Sequence, residues 1–500
     1  MFLVITPIVP YALGLVVLTF LLLPLIRFWQ DKNGLRQFPA PSYAAFTSMW
    51  RIRHNLQAKH YLAVHHAHKE LGTHVRIAPN HVSILDPRAP HDVYGHGANM
   101  LKDAWYDAAA GVHRNLADTR VKSEHQAKRK LLSHAFAAKS VTALEPVLVE
   151  TITSLHTVLR SHATSNEEVN LRMVLNYFTI DLFGRILYSA RLDCLERGND
   201  MLAAETKGGT FYKAPFIQSL LDATVLNTAF AFEPSWLPLA KTIFKNHPYK
   251  KAGTDWENIV YHNTKTRLAN PPESDDLFAK LLQNNKGETL GLSEGEILAE
   301  CNAMMNAGTE TTTAALTNTI FLLFTHPHVL AKLRHELDDA FPTDNIPSYD
   351  IASRLPYLRA CIEESLRVRP ASSFGLPRVV PNGGREIAGK FIPGGVTVSV
   401  PTYSLLRQEN VFENATEYIP DRWLTQDTEK KRVMMNSHLP FSTGPRACIG
   451  RNIAYFEQIV LIASLVKVFD FEVHNDSKLE TIERFNSNPG DFPVICKLRS

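Results

Sequence analysis

From residue 46 to residue 500 no low-complexity tract, internal repeat or second linker interrupts the chain, so a single domain of about 460 residues must share one interior. Few folds accommodate so long an undivided unit. Helical periodicity or strong helix formers run through 121–160, 168–190, 294–325, 328–341, 356–369 and 451–467. Strand-like pieces are short: Val75–Ile77, Val82–Leu85, Val396–Val400 and Phe469–Val473. This pattern predicts a mainly α protein of the α+β class, a helical body with small sheets and no βαβ array.

The first residues differ from the rest. Met1 to Ile26 carries no charge and is long enough to cross a bilayer, and Arg27, Lys32 and Arg36 follow at once. The run is too long for a cleaved signal and lacks a basic start, so residues 1–27 are expected to be a transmembrane anchor. The positive-inside rule then puts the rest of the chain on the cytoplasmic side, with membrane lipid as a partner. Residues 28–45 contain Phe38-Pro39-Ala40-Pro41 and are expected to form a basic, proline-stiffened hinge.

Charge and motifs exclude several classes. Lys+Arg of 53 against Asp+Glu of 50 gives +3, which argues against a nucleic-acid partner. No Gly-x-Gly-x-x-Gly, phosphate-binding loop or nucleophile elbow is present. Nine histidines crowd residues 54–96 without zinc spacing and are expected on surfaces and turns. The 5 cysteines (Cys194, Cys301, Cys361, Cys448, Cys496) form no framework or Cys-x-x-Cys pair. One or two of these thiols at most should be chemically special.

Cys448 is the best candidate. Phe441-Ser442-Thr443-Gly444-Pro445-Arg446-Ala447-Cys448-Ile449-Gly450 presents one cysteine immediately before a helical run. Amides at a helix start stabilise an anionic sulfur, and Gly444 and Gly450 allow close approach of a flat ligand. Such a thiolate suits an axial ligand of haem iron. Ser293-x-x-Glu296 is a capping box opening a long helix, and near its middle Ala307-Gly308-Thr309-Glu310-Thr311-Thr312 is poor for helix formation. Threonine hydroxyls there can bond carbonyls one turn back and loosen the helix.

With these segments the chain resembles the cytochrome P450 family over essentially its whole length. The resemblance implies that Cys448 ligates the iron of haem b (iron protoporphyrin IX), that Phe441 packs beside the sulfur and that Arg446 meets a propionate. It implies an acid–alcohol pair, Glu310 and Thr311, for oxygen activation and proton delivery. Glu364-Ser365-Leu366-Arg367 and Tyr418-x-Pro420-Asp421-Arg422 are similar to the family's structural network of Glu364, Arg367 and Arg422, with Tyr418 and Asp421 departing from the usual Phe and Glu. His125-Gln126-Ala127-Lys128-Arg129 resembles a Trp-x-x-x-Arg segment with His125 in place of the tryptophan. Arg129 and Arg378 are thereby expected to join Arg446 on the propionates.

The implied function is a monooxygenase placing one oxygen atom in a small hydrophobic substrate, on the endoplasmic-reticulum membrane. The chain ends fifty-two residues after Cys448, so electrons are expected from a separate NADPH–cytochrome P450 reductase, with cytochrome b5 as a second donor. A reductase-independent haem-thiolate isomerase or dehydratase is disfavoured because Glu310 and Thr311 are both present; a non-catalytic haem-binding protein is the remaining class. Tyr94-Gly95-His96-Gly97, Tyr106-Asp107, His113-Arg114 and Ser373 to Arg378 are similar to fungal benzoate para-hydroxylases and to fungal oxidases that tailor secondary metabolites. The tailoring class is preferred, since residues 190–290 show nothing of the benzoate enzymes. Trp105, Ala307 and Phe374 are the candidate substrate contacts, though core packing would explain each as well.

Overall fold

Ser293 starts the element around which everything else is arranged. Its hydroxyl accepts the Glu296 amide, the Glu296 carboxylate accepts the Ser293 amide, and the helix then runs unbroken over Glu294–Phe324. Its 31 residues span about 46 Å. The computed structural model describes residue 18 and residues 22–499 apart from 109, 271–275, 285, 344 and 475–477.

Several helices pack on this central one, among them Leu171–Tyr188, Pro248–Ala269, Pro356–Val368 and Arg451–Val468. Leu171–Tyr188 is buried on nearly all sides, and Thr179 and Thr313 share a 2.7 Å hydrogen bond across the contact. Pro356–Val368 is joined to it by Thr319 and Ser365 at 2.8 Å. Arg451–Val468 has an almost wholly buried body from Tyr455 onward. Together these helices supply much of the largest apolar cluster.

A separate small core lies under a five-stranded sheet. Its order is His74–Ala78, His81–Ile84, Thr397–Ser399, Arg378–Val379, Leu101–Lys102. Thr397–Ser399 runs parallel to His81–Ile84 and the other pairings are antiparallel. A second sheet joins Phe469–Glu472, Pro493–Leu498 and Glu168–Asn170. The expected α-rich body with small sheets is what forms.

Local differences have physical causes. The 121–160 stretch breaks into Lys122–Leu132, Ala138–Thr142 and Glu145–Ser165, the last restarting at Pro146, which suits a first helical turn. Most of the expected anchor over 1–27 falls outside the described residues. No described helix is long and apolar enough to cross a membrane. Leu23–Gln30 leaves Leu25, Ile26 and Trp29 exposed, while Phe28 packs on Phe46 at 4.4 Å. Within 28–45, Leu35 and Phe38 are buried in the sheet's core and the Pro39 carbonyl accepts the Arg76 amide, so this part is docked on the body.

The histidine-rich stretch corrects an expectation. His60, His68, His74 and His81 are buried, not on surfaces and turns. Neutral imidazoles can be buried where partners exist: His68 bonds the Gly72 carbonyl and the Ser83 hydroxyl, both at 2.8 Å.

Candidate active site

The cysteine loop is shaped by its own backbone. Gly444 opens a short turn at φ +71°, and a Cβ there would lie 2.0 Å from the Tyr94 carbonyl oxygen. Only glycine fits. The Cys448 amide donates to the Phe441 carbonyl at 2.9 Å, which folds the loop back under the sulfur, and the Phe441 ring rests on Tyr455 at 4.9 Å. Gly450 caps helix Arg451–Val468, and a Cβ on it would be in ordinary contact with Cys448 Sγ at 3.8 Å.

Cys448 differs from the other four cysteines. Those are buried, and burial alone pushes Cys496, and chiefly pushes Cys301, up to about 12. Cys448 lies at depth, yet its side chain is accessible, as for a sulfur facing an internal opening. Burial raises its thiol as well, but the Gly450 and Arg451 amides and the Arg129 and Arg451 charges oppose that rise. These are the groups that hold a thiolate.

Basic side chains converge around the loop. Arg446 donates to the Thr119 and Arg120 carbonyls at 2.6 and 3.1 Å, and Arg129 to the Ala447 carbonyl at 2.6 Å. Arg378, buried, donates to the Tyr106 hydroxyl at 2.9 Å. Burial, then Arg446, Lys102, Arg129 and Arg378 in turn, lowers His125 to about 3, so it is neutral. Burial with Arg378 lowers Arg446 to about 10, and burial with Arg378 and Arg446 holds Lys102 well below the usual lysine range. Asp118, itself raised by burial to about 6, is the acid that opposes the Lys102 shift. Three arginines with so little counter-charge suit anionic partners, and the two propionates of a haem would meet that chemistry.

Sequence reasoning missed Lys102 and Tyr106. Lys102 sits opposite Arg378 in the sheet register, a pairing across 276 positions that no local pattern carries.

On the central helix the expected weak stretch is intact. The hydroxyls of Thr309, Thr311 and Thr313 bond the carbonyls of Met305, Ala307 and Thr309 at 2.7, 2.6 and 3.0 Å. Ala307 is exposed and Thr311 half-buried although both lie mid-helix in the interior, so that face borders an open space. Glu310 turns elsewhere: its carboxylate accepts from Asn486 at 3.0 Å. Burial raises its pKa, opposed by Asn486, Asn488, Arg172 and Arg484, so its carboxyl holds a proton more readily than an exposed glutamate.

Gly308 is required by packing. A Cβ there would come within 2.0 Å of the buried Phe183 ring. Gly308→Ala is expected to lose about 1–3 kcal/mol to overpacking, less what alanine gains in a helix. Adding Phe183→Leu should recover most of the lost melting temperature. An unchanged melting temperature in Gly308→Ala alone would show that the contact gives way freely.

Trp105 and Phe374 lie in one aromatic cluster. Trp105 meets Phe485 at 5.6 Å, Phe374 at 5.6 Å and Phe232 at 6.0 Å, and its indole N–H donates to the Thr228 carbonyl at 3.3 Å. Glu364, Arg367 and Arg422 come together in the interior: Arg367 forks onto Glu364 at 2.8 and 2.9 Å, and Arg422 Nε donates to Glu364 Oε1 at 2.9 Å.

The family model described as cytochrome P450 matches residues 39–492. Benzoate 4-monooxygenase bphA of Aspergillus niger is 32% identical over 522 residues, covering 98% of each chain. Cytochrome P450 monooxygenase AMT3 of Alternaria alternata is 30% identical over 448 residues, covering 88% of each. Cytochrome P450 monooxygenase efuB of Hormonema carpetanum is 30% identical over 426 residues, covering 82% of this chain and 81% of its own. With a family match reaching almost from one end to the other and relatives aligned over nearly their full lengths, this chain belongs to the cytochrome P450 monooxygenase family.

Proposed function

We propose that this monooxygenase is anchored in the endoplasmic-reticulum membrane through residues 1–27, faces the cytoplasm, and oxidises a small, ring-bearing, mainly hydrophobic substrate in secondary metabolism. The observation that carries the substrate class is the cluster of Trp105, Phe232, Phe374 and Phe485, whose rings give a flat apolar molecule a matching wall. The anchor is supported by the uncharged run to Ile26 and the basic residues after it.

Haem b, held by Cys448 with Arg129, Arg378, Arg446 and Lys102 toward its propionates, supplies oxygen activation when bound. The chain's own residues arrange the rest. Thr311 Oγ1 sits on the face that borders the open space and can present or receive a proton there. Glu310, one residue along, has a buried carboxyl that takes up a proton more readily than an exposed one, with Asn486 fixing its orientation. The aromatic cluster would exclude water from a substrate resting against it. Electrons come from NADPH–cytochrome P450 reductase, with cytochrome b5 as an accessory donor.

A second reading is benzoate 4-hydroxylation, favoured by the match to the Aspergillus niger enzyme over 98% of both chains. Microsomes containing the full chain and a reductase separate the two. Substrate-dependent NADPH consumption with an oxygenated product is expected; conversion of benzoate to its 4-hydroxy acid would assign the second reading. Turnover of a peroxide substrate without reductase would overturn both.

A further inference from the structure

Arg51, on helix Met49–Leu56, is 4% exposed and makes no ion pair among the described residues. Its Nη1 lies 2.8 Å from His81 Nδ1. A guanidinium only donates, so His81 Nδ1 accepts, and His81 Nε2 carries its proton to Ser399 Oγ at 2.8 Å. Arg51 Nε and both ring nitrogens of His60, itself 2% exposed, are buried without a partner. These atoms belong to residues lining one cavity of about 10 Å³, the space of a single water, whose wall includes Ser373 and Phe374. The Phe232 ring lies 3.7 Å beneath the guanidinium and 5.4 Å from the His60 ring.

Among the described residues no acid pairs directly with this cation. Asp103 is the carboxylate whose charge reaches it, but Asp103 already accepts the Thr397 hydroxyl at 2.7 Å and the Trp105 amide at 2.8 Å. Glu483 accepts the Tyr61 amide at 2.8 Å, and burial pushes it up to about 8, so it is mostly uncharged at neutral pH. Burial pulls Arg51 down only to about 9, which leaves it charged. A water in the cavity would satisfy His60 yet leave the charge uncompensated, and an unpaired buried charge is costly.

We infer that Arg51 and His60 form a recognition point for the carboxylate of an organic-acid substrate, one oxygen entering the cavity and the hydrocarbon lying against Phe232 and Phe374. This rests on the reading of a small, ring-bearing substrate, since Phe374 lines the cavity and Phe232, under the Arg51 guanidinium, belongs with it to the aromatic cluster.

The test titrates the Soret band of the full-length holoprotein with benzoate and 4-phenylbutyrate, each against its neutral amide. Wild type should bind the acids at least about tenfold more tightly than the amides. Arg51→Gln should weaken acid binding by at least about thirtyfold, the loss expected when one partner of a buried charge pair is removed, and amide binding by less than about threefold. Arg51→Lys should fall between, and the reduced carbon-monoxide spectrum reports that each variant holds its haem. Amides binding as tightly as acids to wild type would overturn the inference alone, whether or not Arg51→Gln folds. Equal losses for acid and amide, or no loss, would also overturn it and leave the cavity a structural water site. If neither acids nor amides shift the band, the ring-substrate reading falls with it.

Discussion

Cys448→Ser is expected to abolish the thiolate-type Soret band of the reduced, carbon-monoxide-treated protein and to lower monooxygenase turnover by more than about a hundredfold, while leaving the fold intact. Changes one step removed from a metal ligand already cost about 10–100-fold, so loss of the ligand itself must exceed that. The fold should survive because Sγ faces an opening and not the packed core, so little apolar burial is lost. The amide of residue 448 would still reach the Phe441 carbonyl, and a serine hydroxyl can accept from the Gly450 and Arg451 amides. Cys301→Ser and Cys361→Ser are the controls. Both thiols are fully buried, so those changes should lower stability and leave the band in place. A Cys448→Ser protein with an unchanged band would remove the ligand assignment.

What sequence could reveal tracks how locally each feature is encoded. The central helix was legible from its cap: Ser293 and Glu296 sit three apart and bond as that spacing requires. The cysteine loop was legible because its turn, its glycines and its following helix are contiguous. Residues 190–290 were not. Helix Phe216–Phe230 spreads apolar residues around its circumference, helix Pro248–Ala269 mixes buried Asp255, Thr264 and Arg267 into its inner face, and a hairpin joins Met201–Glu205 to Phe211–Pro215. None offers a clean stripe for periodicity to find. The partners of the site were hidden for a related reason. Asn486 reaches Glu310 across 176 positions, and Lys102 reaches the cation cluster only through the sheet. His60 and His81 could not be recognised as interior residues, because what buries them is Phe232 and Ser399, far away in the chain.

Arg367→Met is expected to yield no stably folded, haem-loaded protein. Glu364 and Arg367 are both 0% exposed. Besides its fork onto Glu364, Arg367 donates to the carbonyls of Leu406, Ala415 and Glu417 at 2.8, 2.6 and 2.8 Å. It therefore ties the helix Pro356–Val368 to the irregular segment that precedes the cysteine loop. Breaking a buried pair by removing one partner costs about 3–5 kcal/mol, and each carbonyl left without a donor adds about 1–3. Even with strong non-additivity the total rivals the whole stability of an ordinary domain, about 5–15 kcal/mol. Two further variants separate the ion pair from the carbonyl tether. Glu364→Gln alone keeps Arg367 on its three carbonyls but weakens the bonds from Arg422, Trp423 and Ile419, so a partly stable protein is expected. Combining Glu364→Gln with Arg367→Met removes both charges of this pair and leaves Arg422 on a neutral amide; it would recover much of the stability if the pair alone mattered. Because the carbonyls stay unsatisfied, the double variant should remain as unstable as Arg367→Met. Thermal unfolding of the purified proteins, or their recovery after limited proteolysis, decides it: a double variant melting close to wild type would reduce Arg367 to a neutraliser of Glu364.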